Sequence, residues 1–115
     1  MIDNQNFKMA AGDYKDLTVS VTDSTGSNKV ITGCAITWVV KANENDTTPL
    51  ITKSVGSGIT ILPNPNDYKF TISLASADST NIPQGVYYHE ARLTDLSAKS
   101  EVVMRGRLLM KKRRN

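Results

Sequence analysis

Cysteine and histidine are nearly missing from this chain of 115 residues, which holds one of each, Cys34 and His89. A single cysteine excludes a disulfide within the chain, and we interpret Cys34 as a small buried thiol at the start of a strand. One histidine and one cysteine cannot supply the usual ligand set of a zinc site from one chain. We therefore expect no metal and no cofactor.

Aromatic residues and long apolar runs are also scarce. Aromatic side chains make up 6% of the chain. No apolar run approaches the ~20 residues that a membrane-spanning helix needs, so we expect no contact with a membrane. The first residues, 1–6, lack the basic start and apolar stretch of a secretory signal. We expect a chain that works where it is made or is exported by assembly into something larger.

Positive charge is concentrated at one end of the sequence. The formal net charge is +3, and residues 105–114 carry six of the fourteen Lys and Arg side chains and no acidic residue. The basic character is therefore a local property of the C-terminal end, where it indicates a surface for an acidic partner or for phosphates.

What the sequence has in abundance is alternation of apolar and polar residues. From Tyr68 to Leu74 every second side chain is apolar, and the same pattern recurs around Val19 and Trp38. Side chains on a strand point to opposite faces in turn, so this pattern predicts half-buried strands. Turn-forming residues separate eight such segments. The predicted strands are Asn6–Met9, Asp16–Thr22, Ala35–Lys41, Leu50–Ser54, Thr60–Leu62, Tyr68–Leu74, Val86–Thr94 and Glu101–Lys111.

Eight short strands at spacings of about ten residues predict an all-β sandwich or barrel. We expect residues 1–10 to form an N-terminal arm or edge strand, 11–110 the β-sandwich domain and 111–115 a basic tail. Trp38, Phe70 and Leu93 are assigned to the core, and parity turns His89 inward as a core or boundary residue. The segment 76–81 is the one helical candidate, with Ser76 or Asp78 as its cap and Ile82 packed below it.

The last predicted strand has two unlike faces. Val102, Met104, Leu108 and Met110 share the inward row with Gly106. The outward row, which begins at Val103, mixes apolar and cationic side chains, and such a mixture indicates a partner surface. The predicted partner-binding residues are Arg105, Arg107, Leu109, Lys111, Lys112, Arg113 and Arg114.

No catalytic motif is apparent in the sequence. Cys34 and His89 would form a nucleophile and base only if folding brought them together, and nothing local to either residue resembles an activated site. The segment 56–58 (Gly-Ser-Gly) is not followed by the helix or the Lys-Ser/Thr pair of a phosphate-binding loop. The segment 23–26 (Asp-Ser-Thr-Gly) lacks the later acidic ligands of a calcium loop and is interpreted as a turn. We expect a non-enzymatic protein.

The order of these segments resembles the small immunoglobulin-like domains of bacteriophage virion proteins, such as the N-terminal domain of siphophage baseplate upper proteins. The likeness spans about residues 12 to 108 and lies in a series of short motifs. These motifs are Gly12-Asp13, Leu17–Val21, Thr22-Asp23-Ser24-Thr25-Gly26, Thr32-Gly33-Cys34-Ala35-Ile36-Thr37-Trp38, Gly56-Ser57-Gly58-Ile59, Ser73-Leu74-Ala75-Ser76-Ala77-Asp78-Ser79 and Pro83-Gln84-Gly85-Val86-Tyr87-Tyr88-His89-Glu90-Ala91-Arg92-Leu93-Thr94-Asp95.

This resemblance implies an immunoglobulin-like Greek-key β-sandwich of about 7–8 antiparallel strands. It implies a structural component of the virion, in the tail, baseplate or neck or decorating the head. The partners would be other virion proteins, met in multiple copies in a symmetric assembly. It implies no catalytic residues.

Two other functions stay open from the sequence. A β-sandwich can bind carbohydrate on a host surface, for which Tyr14 and Tyr88 are the candidate aromatic platforms. The tail, Lys111–Arg114, can instead bind nucleic acid in a salt-dependent way. We favour protein docking over nucleic acid because the basic segment has no exposed aromatic residue on which bases would stack.

Overall fold

A computed structural model of the chain describes residues 6–22 and 25–112. Every predicted strand is confirmed, with ends that shift by at most two residues. The alternating pattern and the intervening turn residues therefore define the elements of this domain. The strands are β1 (Phe7–Ala10), β2 (Lys15–Ser20), β3 (Ala35–Lys41), β4 (Ile51–Val55), β5 (Gly58–Ile61), β6 (Lys69–Leu74), β7 (Gly85–Thr94) and β8 (Ser100–Lys111).

The eight strands form one mixed sheet in the order β1-β8-β7-β3-β4-β5-β6-β2, which is nearly closed into a barrel. The expectation of purely antiparallel strands is wrong at two pairings, since β1 runs parallel to β8 and β4 runs parallel to β5. No hairpin joins β1 to β8, so nothing forces them to run in opposite directions. The β4–β5 contact is a tight corner with only two residue pairs.

The buried apolar side chains of the described residues form one hydrophobic core inside this curled sheet. Trp38, Phe70 and Leu93 have no exposed surface, which confirms their assignment to the core. Cys34 is buried immediately before β3, also as predicted. In the antiparallel pair β3–β7, Trp38 lies opposite Ala91. The inward positions of these two central strands thus fill the middle of the core.

A β-bulge in β8 overturns the predicted orientations of Val103 and Val102. Val103 was expected to point outward, but its exposed fraction is 6%. The register between β7 and β8 shifts after Ala91, which pairs with Met104, so that Arg92 pairs with Val102. The extra residue interrupts the two-residue period and turns Val103 toward the core. Val102, which was expected to point inward, lies opposite the exposed Arg92 and is half-buried.

The predicted helical turn is confirmed as α1 (Ser76–Ser79), although its cap differs from the prediction. The residue at the N-cap is Ala75, whose backbone N–H donates to a carboxylate oxygen of Asp78 at 2.7 Å. Ser79 is buried and its hydroxyl accepts a hydrogen bond from the N–H of Gly12. Ile82 packs against the core, as expected. Within the described part of the chain, no helix has the length and apolar character to cross a membrane.

Candidate partner-binding surface

The outward side chains of β8 form a continuous row at the surface. Arg105, Arg107, Leu109 and Lys111 are all exposed, while the intervening Gly106, Leu108 and Met110 are buried. We call the four exposed residues the β8 row. Because a strand rises ~3.4 Å per residue, neighbouring members of the row are about 6.8 Å apart along the strand.

An apolar depression lies beside Leu109. In the sheet register Leu109 faces Val86 on β7 and Lys8 on β1. Leu109 and Val86 remain 42% and 56% exposed, so their apolar surfaces are unusually open for a strand pair. Phe7, Asn6 and Arg107 complete the walls of a mainly apolar depression of about 360 Å³.

A larger and more polar cavity of about 520 Å³ adjoins this depression. Its polar walls include the side chains of Asn43, Glu44, Tyr88 and Arg105. Asn6, Val86 and Arg107 line both spaces. The side-chain oxygen of Asn6 accepts the backbone N–H of Arg107 at 2.8 Å, which fixes the chain at the boundary between the two spaces.

The carboxylate of Glu90 makes two side-chain interactions near this cavity. One carboxylate oxygen lies 3.4 Å from Nζ of Lys41, and the other accepts the hydroxyl of Tyr88 at 3.3 Å. Burial raises the pKa of Tyr88, and the carboxylates of Glu90 and Glu44 raise it further, while Arg105 opposes them. Tyr88 therefore stays a neutral hydrogen-bond donor.

Several cations near Leu109 have no acidic partner among the described residues. Among residues 6–22 and 25–112, no carboxylate forms an ion pair with Arg107, Lys111, Lys112 or Lys8. The carboxylates of Glu101, Glu90 and Asp78 instead pair with Lys29, Lys41 and Lys53, respectively. The surface around Leu109 is therefore apolar at its centre and cationic at its margin.

The predicted partner-binding residues fall into two groups. The β8 row and Lys112 are exposed. Arg113 and Arg114 lie outside the described residues. Of the two candidate aromatic platforms, Tyr88 lines the larger cavity, whereas Tyr14 is 64% exposed and lines neither space.

Several residues of this surface escaped the sequence analysis because they come from neighbouring strands. Lys8 and Val86 reach Leu109 only through the register of β1 and β7. The polar side of the cavity comes from Asn43 and Glu44 in the loop between β3 and β4. The signal for Val86 was its parity, which it shares with the outward residues Tyr88 and Glu90 of the same strand.

The structure does not bring the candidate nucleophile and base together. Cys34 precedes Ala35, which pairs with Thr94, whereas His89 pairs with Val40. Six residues of extended chain therefore separate Cys34 from the level of His89, a distance of about 20 Å. In the part of the chain that the structure describes, no group of three or more His, Cys, Asp and Glu side chains is placed to hold a metal ion.

Comparison with known protein families and with curated proteins found no match for this chain. The structure itself defines an all-β domain. Its outer face carries an open apolar pair, Val86 and Leu109, bordered by cations of β8 and β1.

Proposed function

We propose that this protein is a non-enzymatic structural component of a bacteriophage virion, in the tail, baseplate or neck or as a head decoration. In this proposal it acts through protein–protein contacts made by the β8 row. The observation that carries the proposal is the exposed apolar pair of Leu109 and Val86, bordered by Arg107, Lys111 and Lys8, which form no ion pair with any described residue. An apolar centre with a polar rim is the usual anatomy of a protein interface. The virion assignment rests on the resemblance of the sequence motifs.

We further propose that the sheet is an immunoglobulin-like Greek-key sandwich. The two-residue contact between β4 and β5 is the weakest link in the strand order. Division at that link leaves β1-β8-β7-β3-β4 as one layer and β5-β6-β2 as the other. In immunoglobulin domains strands B, E and D share one sheet and C, F and G share the other, to which variable-type domains add a strand C′. With β4 taken as C′, the strands β2, β6 and β5 correspond to B, E and D, and β3, β7 and β8 correspond to C, F and G, which supports the proposal.

Two side-chain arrangements also support the immunoglobulin-like assignment. The hydroxyl of Tyr87, near the start of β7, donates to the backbone carbonyl of Pro83 at 2.6 Å. A tyrosine that bonds back to the chain just upstream in this way is a hallmark of such sandwiches. Two residues later, His89 contacts the buried Trp38 of β3. His89 thus takes the position next to the tryptophan where antibody domains place a disulfide.

Repetition would give such a domain its strength in an assembly. A surface of this size forms weak contacts singly, but many copies on a symmetric particle engage together. The edge strands β1 and β2 offer further backbone groups for strand addition. Of the predicted N-terminal arm or edge strand, residues 1–10, the structure describes residues 6–10.

The test of this proposal is to look for the protein in purified phage particles. Mass spectrometry and sedimentation of particles from an infected culture should detect the chain at a fixed ratio to other virion proteins. Washing with high salt should not remove it entirely, because the contact has an apolar centre. Absence of the chain from purified particles would contradict the proposal.

Carbohydrate binding is a second candidate function, favoured by one observation. Tyr88 lines the 520 Å³ cavity together with Asn6, Asn43 and Glu44, which supplies an aromatic ring beside amide and carboxylate groups. Sugars are bound by such combinations of stacking and hydrogen bonding. A glycan array that gives signals lost in Tyr88→Ala would support this function, and an array without signals would dismiss it.

A further inference from the structure

We propose that the β8 row binds an extended acidic segment of a partner protein. In this segment every second position faces the row, and these positions hold three carboxylates and one apolar residue. The inference gives the chemistry of the partner and rests on the proposed function for the role of this surface. Arg105, Arg107 and Lys111 would face carboxylates, and Leu109 would face the apolar residue.

The spacing of the row is the first argument. Neighbouring members of the row lie two positions apart in β8, which corresponds to about 6.8 Å. An extended peptide that lies along the strand presents its side chains to the sheet with the same period. Alternate positions of the peptide therefore stay aligned with Arg105, Arg107, Leu109 and Lys111 over the whole row.

The depression beside Leu109 is the second argument. Leu109, Val86 and Phe7 line a mainly apolar space of about 360 Å³, which is large enough to accept a leucine or phenylalanine side chain. Burial of such a side chain with Leu109 and Val86 would remove apolar surface of all three from water. The apolar residue thus fixes the register of the peptide on the row.

Charge complementarity is the third argument. Arg107, Lys111 and Lys8 have no acidic partner among residues 6–22 and 25–112. The guanidinium of Arg107 can bind a carboxylate through two parallel hydrogen bonds. Glu44 lies in the cavity on the β7 side and would repel an acidic peptide there. The peptide is therefore directed toward the β1 side, over Lys8.

The same features favour a peptide over nucleic acid. Phosphates gain nothing from the apolar pair of Leu109 and Val86, which lies among the cations. Tyr88, which lines the larger cavity, is hydrogen bonded to Glu90. A base stacked on Tyr88 would bring its phosphate close to this carboxylate and to Glu44.

The experiment measures fluorescence anisotropy of labelled probes with the full-length protein. The first probe is the peptide Glu-Thr-Glu-Thr-Leu-Thr-Glu, and the second has the same composition in the order Glu-Glu-Glu-Thr-Thr-Thr-Leu. The third probe is an oligo-dT strand. We expect the alternating peptide to bind at least tenfold more tightly than the other two probes.

Variants locate the site. Arg107→Glu and Leu109→Thr should each weaken binding of the alternating peptide at least fivefold. Lys99→Glu makes the same charge change as Arg107→Glu at an exposed position about 25 Å away along the chain, and should change binding less than twofold. Circular dichroism checks that all three variants are folded.

Three results would overturn the inference. Equal binding of the two peptides would remove the spacing argument, and equal loss in Lys99→Glu and Arg107→Glu would show attraction by overall charge alone. Tighter binding of oligo-dT than of the alternating peptide would assign the surface to nucleic acid.

Particle analysis separates this inference from the proposed function. A chain present in particles without peptide binding refutes only the inference, whereas peptide binding by a chain absent from particles refutes only the virion role.

Discussion

Trp38 donates a hydrogen bond from Nε1 to Nδ1 of His89 over 3.1 Å, and neither side chain has any exposed surface. The bond joins β3 to β7 inside the core, between residues 51 positions apart in the chain. Phe7 of β1 meets the ring of His89 edge-on, with ring centroids 5.0 Å apart. One histidine thus connects the central strands to the edge strand beside the candidate surface.

Replacement of His89 by Leu should lower the free energy of unfolding by about 1–3 kcal/mol, because it leaves the indole N–H of Trp38 buried without an acceptor. Urea unfolding followed by circular dichroism measures the change. The double variant with Trp38→Phe should lose less than the sum of the two single variants, since the unpaired donor is gone. Strict additivity would contradict a coupled pair.

The turn between β7 and β8 makes stability depend on acid pH. The carboxylate of Asp95 accepts the backbone N–H groups of Lys99 and Ser97, and the bond from Lys99 contributes most to holding its pKa below 3.8. A carboxyl with a lowered pKa stabilises the fold above its unfolded pKa, and this contribution is lost as the pH falls through the folded pKa.

Asp95→Asn should therefore be less stable than the parent chain at about pH 6, with a difference that shrinks toward about pH 2.5. Thermal unfolding across this pH range measures the effect. Asp16→Asn, at an exposed position on β2, makes the same chemical change without the turn hydrogen bonds and serves as the control. A constant difference at every pH would refute the assigned role of the carboxylate.

Ala98 adopts a left-handed backbone conformation, with φ of 64°. A side chain in this region costs roughly 1–2 kcal/mol, whereas glycine adds about 0.5–1 kcal/mol of chain entropy to the unfolded state. Ala98→Gly should therefore raise the free energy of unfolding by up to about 1 kcal/mol. Ala35→Gly, in the strand β3, should lower it. Chemical denaturation of both variants checks the opposite signs.

Gly58 permits the corner between β4 and β5. Its φ is 101°, and a Cβ there would collide with the side chain of Lys53, whose Nζ lies 2.8 Å from Asp78. Gly58→Ala should lower the free energy of unfolding by roughly 1–3 kcal/mol through backbone strain, with a further loss from displacement of Lys53.

Gly56 provides the matched control for that collision. It has a similar positive φ of 86°, but no atom lies within 4 Å of an added Cβ. Gly56→Ala should therefore show the backbone strain alone and destabilise the protein less than Gly58→Ala in the same urea titration. Equal losses of unfolding free energy in the two variants would mean that the collision with Lys53 does not destabilise Gly58→Ala.

The strands were predictable because each carries its own two-residue period and is bounded by turn residues. The direction of β1 and the pairing of β4 with β5 could not be predicted from local alternation, because they depend on how the strands pack together in the fold. The bulge at Val103 was missed for a related reason. One extra residue reverses parity, and the partner strand alone shows where it is inserted.

The candidate surface was predictable only along β8. Parity identified Arg105, Arg107 and Leu109 because they share one strand. The contribution of Val86 and Lys8 depends on cross-strand register, which alternation does not fix between segments far apart in sequence. The bond between Trp38 and His89 was hidden in the same way, although the burial of each residue was expected.

Strand β8 packs against the core with one face and exposes the β8 row on the other. Leu108 and Met110 belong to the interior, and the exposed side chains between them make no contribution to that packing. We therefore expect the core packing to stay unchanged when residues of the β8 row are substituted. The exposed face of β8 can therefore vary in sequence without disturbing the core, and a protein engineer can graft a new recognition sequence onto this strand.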